Sequence, residues 1–386
     1  MGSGIISVEC SRNESKGGII MAEDLYKNPI CITQQFRFCG NPFRIDMYRG
    51  CDFGCRYCFA NARQGNFKVK WQTADIKIIE RAFHKAFEDE KEYKNVTVEL
   101  MRHKVPMHCG GMSDPFQARE WDIGATKKLI ELSNKYDYPI SFSTKAAYLP
   151  EEYYNVLNPN IHAFQISLMG YDEDFVRKYE SNTPSPAERI EFCKELKRRG
   201  FWVSCRIQPM IDVEQARKVI EALNDTVDYF TVEHLKIPVD NKFIRAQFEP
   251  IDKTRYTRTS SLRSYELNKS EKVSNVEYLK KTSKKPIGCG DNDIHYLSDS
   301  RCCCGVDMMP ESFKNYMKYN LTYFCTGECN PDELWTPSCS VRNIFNSDTQ
   351  IKGVDSLKDY TDIYCKRYNY FFGEDNPHNF YKEVNL

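Results

Sequence analysis

The sequence predicts an α/β fold: a partial (β/α)6 barrel with a Cys-rich C-terminal extension. Three observations predict it. Short apolar runs alternate with stretches of helical periodicity between residues 42 and 235, the pattern of a parallel sheet with helices outside it. The rhythm stops past residue 235, and seven cysteines then fall between residues 289 and 339. A length of 386 residues suits one barrel plus an appendage, and 41% apolar residues can fill a sizeable core.

The elements follow in order. "PFRIDMY" (42–48) alternates as a first strand and leads into a cysteine-bearing loop. "TADIKIIERAFHKAFEDEKEY" (73–93) places Ile76, Ile79, Phe83 and Phe87 three or four residues apart, as a helix does. "KVPMHCGG" (104–111) reads as a buried strand ending in glycines, "AREWDIGATKKLIELSNKY" (118–136) as a helix and "PISFSTK" (139–145) as a strand. "HAFQISLMG" (162–170) is a strand, and "SPAERIEFCKELKRRG" (185–200) a helix with a capping Ser and a terminal Gly. "FWVSCRIQP" (201–209), "DVEQARKVIEALND" (212–225) and "VDYFTVEHL" (227–235) complete the rhythm as strand, helix and strand. The core is therefore expected over 26–235, after a disordered leader over 1–25. A basic polar connecting segment (236–285) and the Cys-rich extension (286–386) follow.

The loop after the first strand, "YRGCDFGCRYCFAN" (48–61), sets Cys51, Cys55 and Cys58 in C-x3-C-x2-C spacing with no fourth ligand close by. A structural zinc site takes four protein ligands. Three thiolates on a [4Fe-4S] cluster leave one iron open to an outside ligand. A zinc knuckle with a distant fourth ligand remains the alternative.

This spacing, with aromatic Tyr57 just before the last cysteine and on the first loop of a six-fold β/α chain, resembles the radical S-adenosylmethionine (radical SAM) superfamily. The resemblance implies a radical SAM barrel, with a [4Fe-4S] cluster on Cys51, Cys55 and Cys58. It also implies S-adenosylmethionine as cofactor, held by its amino and carboxylate groups on the unique iron. One electron then breaks the sulfonium C–S bond, and the 5'-deoxyadenosyl radical abstracts hydrogen. "GGMSDPFQARE" (110–120), "STKA" (143–146), "RKYESNTPSPAERIEFCKELKRRG" (177–200) and "VSCRIQPMI" (203–211) resemble the spore photoproduct lyase-like branch. The match implies Gly110 and Gly111 beside the methionine amino group, and Ser167 and Arg206 at the ribose and the carboxylate. It implies Tyr57, Ser113, Lys145 and Glu180 as further cofactor-pocket residues. Met112 stands where that branch has a hydrogen-donor cysteine before its Ser/Thr-Asp pair; the nearest cysteine is Cys109.

Cys289, Cys302, Cys303, Cys304, Cys325, Cys329 and Cys339 are too dense for packing alone. Three readings are open: a second [4Fe-4S] cluster, a zinc site, or reactive thiols serving as hydrogen donors or a redox pair. Tyr256, Tyr265 and Tyr278 interleave with basic residues in 236–285, which reads either as a nucleic-acid face or as a solvated loop.

Lys+Arg and Asp+Glu are both 54, so the chain lacks the basic excess of a duplex-DNA binder. It has no run of about 18 apolar residues, hence no membrane partner. "MGSGIISVECSRNESKGGII" lacks the apolar core of a secretory signal. Seventeen cysteines in such a chain suit a reducing cytoplasm and metal or redox chemistry. The expected function is hydrogen abstraction, as lyase, isomerase or oxidoreductase, from a small-molecule, nucleotide or peptide substrate, with an electron donor such as flavodoxin or ferredoxin. The alternatives are action on a nucleic-acid base and a non-catalytic iron–sulfur or zinc protein.

Overall fold

A computed structural model of the protein describes residues 25–32, 41, 43–60, 71–91, 96–259, 264–300 and 302–314. Its strands are β1 (Leu25–Tyr26), β2 (Ile30–Ile32), β3 (Phe43–Ile45), β4 (Tyr48–Arg49), β5 (Gln72–Ala74), β6 (Met107–Cys109) and β7 (Ile140–Thr144). They continue as β8 (His162–Ser167), β9 (Trp202–Met210), β10 (Tyr229–His234), β11 (Lys236–Pro238), β12 (Tyr256–Thr259), β13 (Ser264–Leu267) and β14 (Ile287–Cys289). The main sheet has eight strands in the order β14-β10-β9-β8-β7-β6-β3-β2. Every neighbouring pair from β14 to β3 is parallel, and β2 closes the edge antiparallel.

The sheet extends beyond the six strands expected. β14 lies past the expected core boundary at residue 235 and pairs with β10, Phe230 opposite Ile287. Residues 236–285 are also not an open connection. β11, β13 and β12 form a small antiparallel sheet flanked by helices Lys242–Ala246 and Lys269–Thr282. The buried Lys272 anchors it, donating to Glu266 at 3.0 Å and to Asp293 at 3.1 Å. The leader (1–24), Cys325, Cys329, Cys339 and the tail lie outside the described residues.

The helices follow their signals. Helix Ile76–Phe87 starts where Asp75 accepts from the Lys77 amide, and it buries Ile79 and Phe83. Helix Pro186–Arg198 has a full capping box between Ser185 and Glu188, with proline in its first turn. The single helix expected over 118–136 is instead two, Glu120–Ile123 and Ala125–Lys135, hinged at Gly124 with φ 67°. Its break lets the Glu120 carboxylate turn inward, where it accepts from the amides of Thr126 and Lys127 at 2.9 Å each.

Strand alternation sorts the side chains. Ile45, Met107, Cys109, Phe142, Phe164, Ile166, Val203, Cys205, Ile207, Phe230 and Val232 join the buried apolar core. The alternate positions, Arg44, His108, Ser143, Gln165, Arg206 and Thr231, line a polar lumen. Residues 302–305 cross its base: Tyr229 donates to the Cys302 carbonyl at 3.3 Å and Thr231 to the Cys303 carbonyl at 2.7 Å. Gly288 makes the crossing possible, because a Cβ there would stand 2.5 Å from that Cys303 oxygen. No described helix is long and apolar enough to cross a membrane.

Candidate active site

The cysteine loop is gripped from two sides. On one side Gln117 accepts from the Asp52 amide at 3.0 Å and donates to the Gly50 carbonyl at 3.4 Å. Gly50 itself needs φ 85° and stands against Trp71, whose ring would be 2.7 Å from a Cβ. On the other side the Arg56 amide donates to the Tyr179 carbonyl at 2.9 Å, and the Tyr57 hydroxyl donates to Glu180. The Cys58 amide closes a turn onto the Cys55 carbonyl at 3.1 Å. Cys55 is buried, and Cys51 and Cys58 are partly exposed.

The segments around this loop turn out to be its scaffold. Ser113 donates to the Tyr48 carbonyl at 2.6 Å, just before the loop. Asp114 accepts from Thr144 Oγ1 and from the Lys145 amide at 2.7 Å each, tying the loop after β6 to the end of β7. Glu180 is fully buried and pairs with the equally buried Arg189 at 2.8 Å. Arg189 also donates to the Ser167 carbonyl at 2.8 Å, so the end of β8 shares that clamp. Burial alone would push the Glu180 carboxyl up, but Arg189 and Lys145 more than offset it and hold it below the ordinary range. Lys145 Nζ stands 3.9 Å from Glu180 and 5.8 Å above the Tyr57 ring, and both Cys55 and Glu180 favour its charged form.

The donor set fits an iron–sulfur cluster by chemistry: three thiols on one immobilised loop, with a lysine ammonium close enough to favour the Cys55 thiolate. Burial, then Asp114, raises the Cys51 thiol to about 12, so ligation there must release a proton. Among the described residues no three His, Cys, Asp or Glu side chains are drawn together tightly enough to hold a metal ion, the loop thiols included.

The two glycines after β6 differ. At Gly110, φ is 104° and a Cβ would stand 2.3 Å from the Ser143 carbonyl oxygen, so packing against β7 requires glycine. At Gly111 the nearest atom is the Arg44 Cδ at 3.5 Å, ordinary contact. Asp46 accepts from the Met112 amide at 2.8 Å beside them.

Arg206 lies in the lumen rather than alone at a strand end. It donates to Ser143 at 3.0 Å, to Gln165 at 3.1 Å and to Gln208, which passes the chain on to Glu233. His108 and Ser143 stand 2.7 Å apart. Gln165 Nε2, Arg44 Nε and Asn41 Oδ1 are buried without a protein partner in this lumen.

The described members of the second cysteine group do not converge. Cys289 sits in the apolar core, its thiol 3.9 Å from Asp291, and the Cys302 sulfur accepts from the Val306 amide at 3.2 Å. Cys303 and Cys304 alone meet, with sulfurs 3.7 Å apart. The hydrogen bond from Cys303 brings Cys304 down to about 6 against its burial, helped by Arg206, Arg44 and Asn41.

Sequence reasoning missed Arg44, Asn41, His108, Gln165, Gln117 and Arg189. The signals were present: polar residues at alternate positions of otherwise apolar strands ("FRI", "MHC", "AFQIS"), and the arginine that ends the stretch opened by Glu180.

A family model described as the radical SAM superfamily matches residues 45–226. Among solved structures, a cysteine-to-alanine variant of spore photoproduct lyase is similar over 65% of this chain and 77% of that one, at 14% identity and TM-score 0.50. Spore photoproduct lyase complexed with dinucleoside spore photoproduct covers 67% and 78%, at 15% identity and TM-score 0.49. Streptococcus suis SuiB bound to S-adenosylmethionine covers 62% and 46%, at 14% identity and TM-score 0.42. No curated protein matches the chain in sequence.

Proposed function

This chain belongs to the radical SAM superfamily and is an enzyme of that class, and on that premise we propose that Cys51, Cys55 and Cys58 hold its [4Fe-4S] cluster and that it abstracts hydrogen from a substrate in the polar lumen. The observation that carries the reading is the two-sided grip on the cysteine loop by Gln117 and by the Tyr179–Glu180 segment, directly over that lumen. When bound, the cluster and S-adenosylmethionine supply a primary carbon radical. The chain's own residues hold, orient and shield. Lys145 balances the thiolates with its positive charge, and Gly111 and Met112 offer backbone to the cofactor's amino-acid end. Ser167 and Arg206 lie where the ribose and carboxylate ends would reach.

The substrate presents polar groups to Arg44, His108 and Gln165, because unpartnered buried donors favour a guest that satisfies them. A small molecule, a nucleotide or a peptide with an acceptor-rich end meets that requirement. The electron comes from a carrier of the flavodoxin or ferredoxin class.

The test is anaerobic incubation of the reconstituted protein with reductant and S-adenosylmethionine, followed by mass spectrometry for 5'-deoxyadenosine. Wild type should form it. A folded variant with Cys51, Cys55 and Cys58 all changed to Ala should form none. Equal product from that variant would sink the reading.

A further inference from the structure

Cys304 is surrounded from two sides of the sheet. Arg44 belongs to β3 and Arg206 to β9, four strands apart in the sheet order, and both act on the Cys304 thiol together with Asn41. A sulfur that senses both guanidinium groups stands inside the lumen, between the strands. It is buried, and the Cys303 sulfur is 3.7 Å away within the same turn. The carbonyls of Cys302 and Cys303 are fixed by Tyr229 and Thr231, so the pair is held at a set depth under the cysteine loop. The unpartnered Asn41 oxygen, 1% exposed as a residue, and the unpartnered Gln165 amide flank the same space.

We propose that Cys303 and Cys304 together are the hydrogen-atom donor to the carbon radical formed in the lumen, an inference that rests on the radical SAM reading above. In the donating step the S–H bond of one cysteine breaks and a C–H bond forms on the radical carbon. The sulfur left with the unpaired electron bonds to its partner's thiolate, giving a disulfide radical anion. Its extra electron passes to a one-electron acceptor of the flavodoxin or ferredoxin class and leaves a Cys303–Cys304 disulfide. An external dithiol reduces that disulfide and restores one thiol and one thiolate. The 3.7 Å separation means that a closure of under 2 Å makes the bond, since a disulfide needs about 2.05 Å. Neither Cys289 nor Cys302 serves, because the first packs in the core and the second accepts from Val306.

The experiment uses the reconstituted full chain, reductant and S-adenosylmethionine in deuterated water, so that thiol hydrogens are deuterium. Two quantities are read anaerobically: the deuterium fraction of the 5'-deoxyadenosine formed, and the mass of the peptide carrying Cys303 and Cys304 after alkylation. Wild type and an exposed-site control, Cys31→Ser, should give deuterated product, and the peptide should appear unalkylated and lighter by two hydrogens. The Cys303→Ser/Cys304→Ser variant, checked for fold by circular dichroism and for iron content, should lose most of the deuterium per molecule of product. Equal deuterium fractions in wild type and double variant overturn the proposal while leaving the radical SAM reading standing. So does wild-type product formed with the pair fully alkylated. Absence of 5'-deoxyadenosine from wild type overturns both.

Discussion

Replacing Arg189 by Met tests how the fold holds its cysteine loop. Arg189 and Glu180 are both fully buried and meet at 2.8 Å. At the effective dielectric of about 20 that describes buried pairs, two charges at that distance attract by about 6 kcal/mol, most of which repays their desolvation. Methionine keeps the side-chain bulk but leaves Glu180 with Lys145 alone, at 3.9 Å. It also strips the Ser167 carbonyl of its 2.8 Å donor. Breaking a buried pair from one side costs about 3–5 kcal/mol. The assay is urea denaturation of wild type, Arg189→Met, Glu180→Gln and the double variant. The double variant should recover most of the loss, because it no longer buries an unpaired charge. Iron bound per chain after reconstitution should fall in Arg189→Met, since Glu180 receives the Tyr57 hydroxyl in the middle of the loop. A loss below about 1 kcal/mol, the scale of an exposed pair, would refute the argument that this pair is the loop's inner support.

Three further outcomes follow from the same geometry. Gly110→Ala should cost about 2–5 kcal/mol in chemical denaturation, from positive φ plus overpacking on the Ser143 carbonyl, whereas Gly111→Ala should stay within about 1 kcal/mol. Burial raises the Asp46 carboxyl to about 6 from 3.8, so the folded state binds its proton more tightly than the unfolded chain does. That contribution is present below about pH 4 and lost as pH rises through 6, so Asp46→Asn should gain on wild type up to about 3 kcal/mol by pH 7. A melting-temperature difference that does not change between pH 4 and 7 would contradict this. Gln117→Ala should cost about 1–3 kcal/mol and lower iron retention by freeing the Asp52 amide and Gly50 carbonyl. Arg119→Ala, which breaks only an exposed 3.4 Å pair with Asp52, should leave iron retention unchanged.

The strand and helix order was legible because local periodicity and caps are written in contiguous residues. Ser185, Glu188 and Gly200 mark one helix at both ends without help from the rest of the chain. β14 was not legible: three residues carry no period, and only pairing with Phe230 and Val232 makes them a strand. The Gly124 break was hidden because the helical pattern runs through it, while Glu120 turns inward for tertiary reasons. In the candidate site, the three cysteines of the loop stood out by spacing. What Glu180, Ser113 and Lys145 touch could not be read, since each partner lies tens of residues away. The density of the later cysteines suggested one shared centre. The described members instead divide between core packing, a backbone contact and the lumen pair, a difference that depends on which way each side chain points.

The position of β14 also sets an order of events while the chain is being made. β10 is complete at His234, but the strand that covers its outer edge begins at Ile287. At ribosomal speeds of about 5–20 residues per second, that edge waits roughly 3–10 s for its partner. An uncovered parallel edge invites pairing with other chains. The intervening small sheet is antiparallel and local, so it can form during the wait and shorten the return path. Asn224, already in place, then receives the chain: it donates to the Thr282 carbonyl at 3.0 Å and accepts from the Lys284 amide at 2.9 Å, three residues before β14. Nascent chains arrested before residue 287 should therefore be the sticky ones, and those released after it should not.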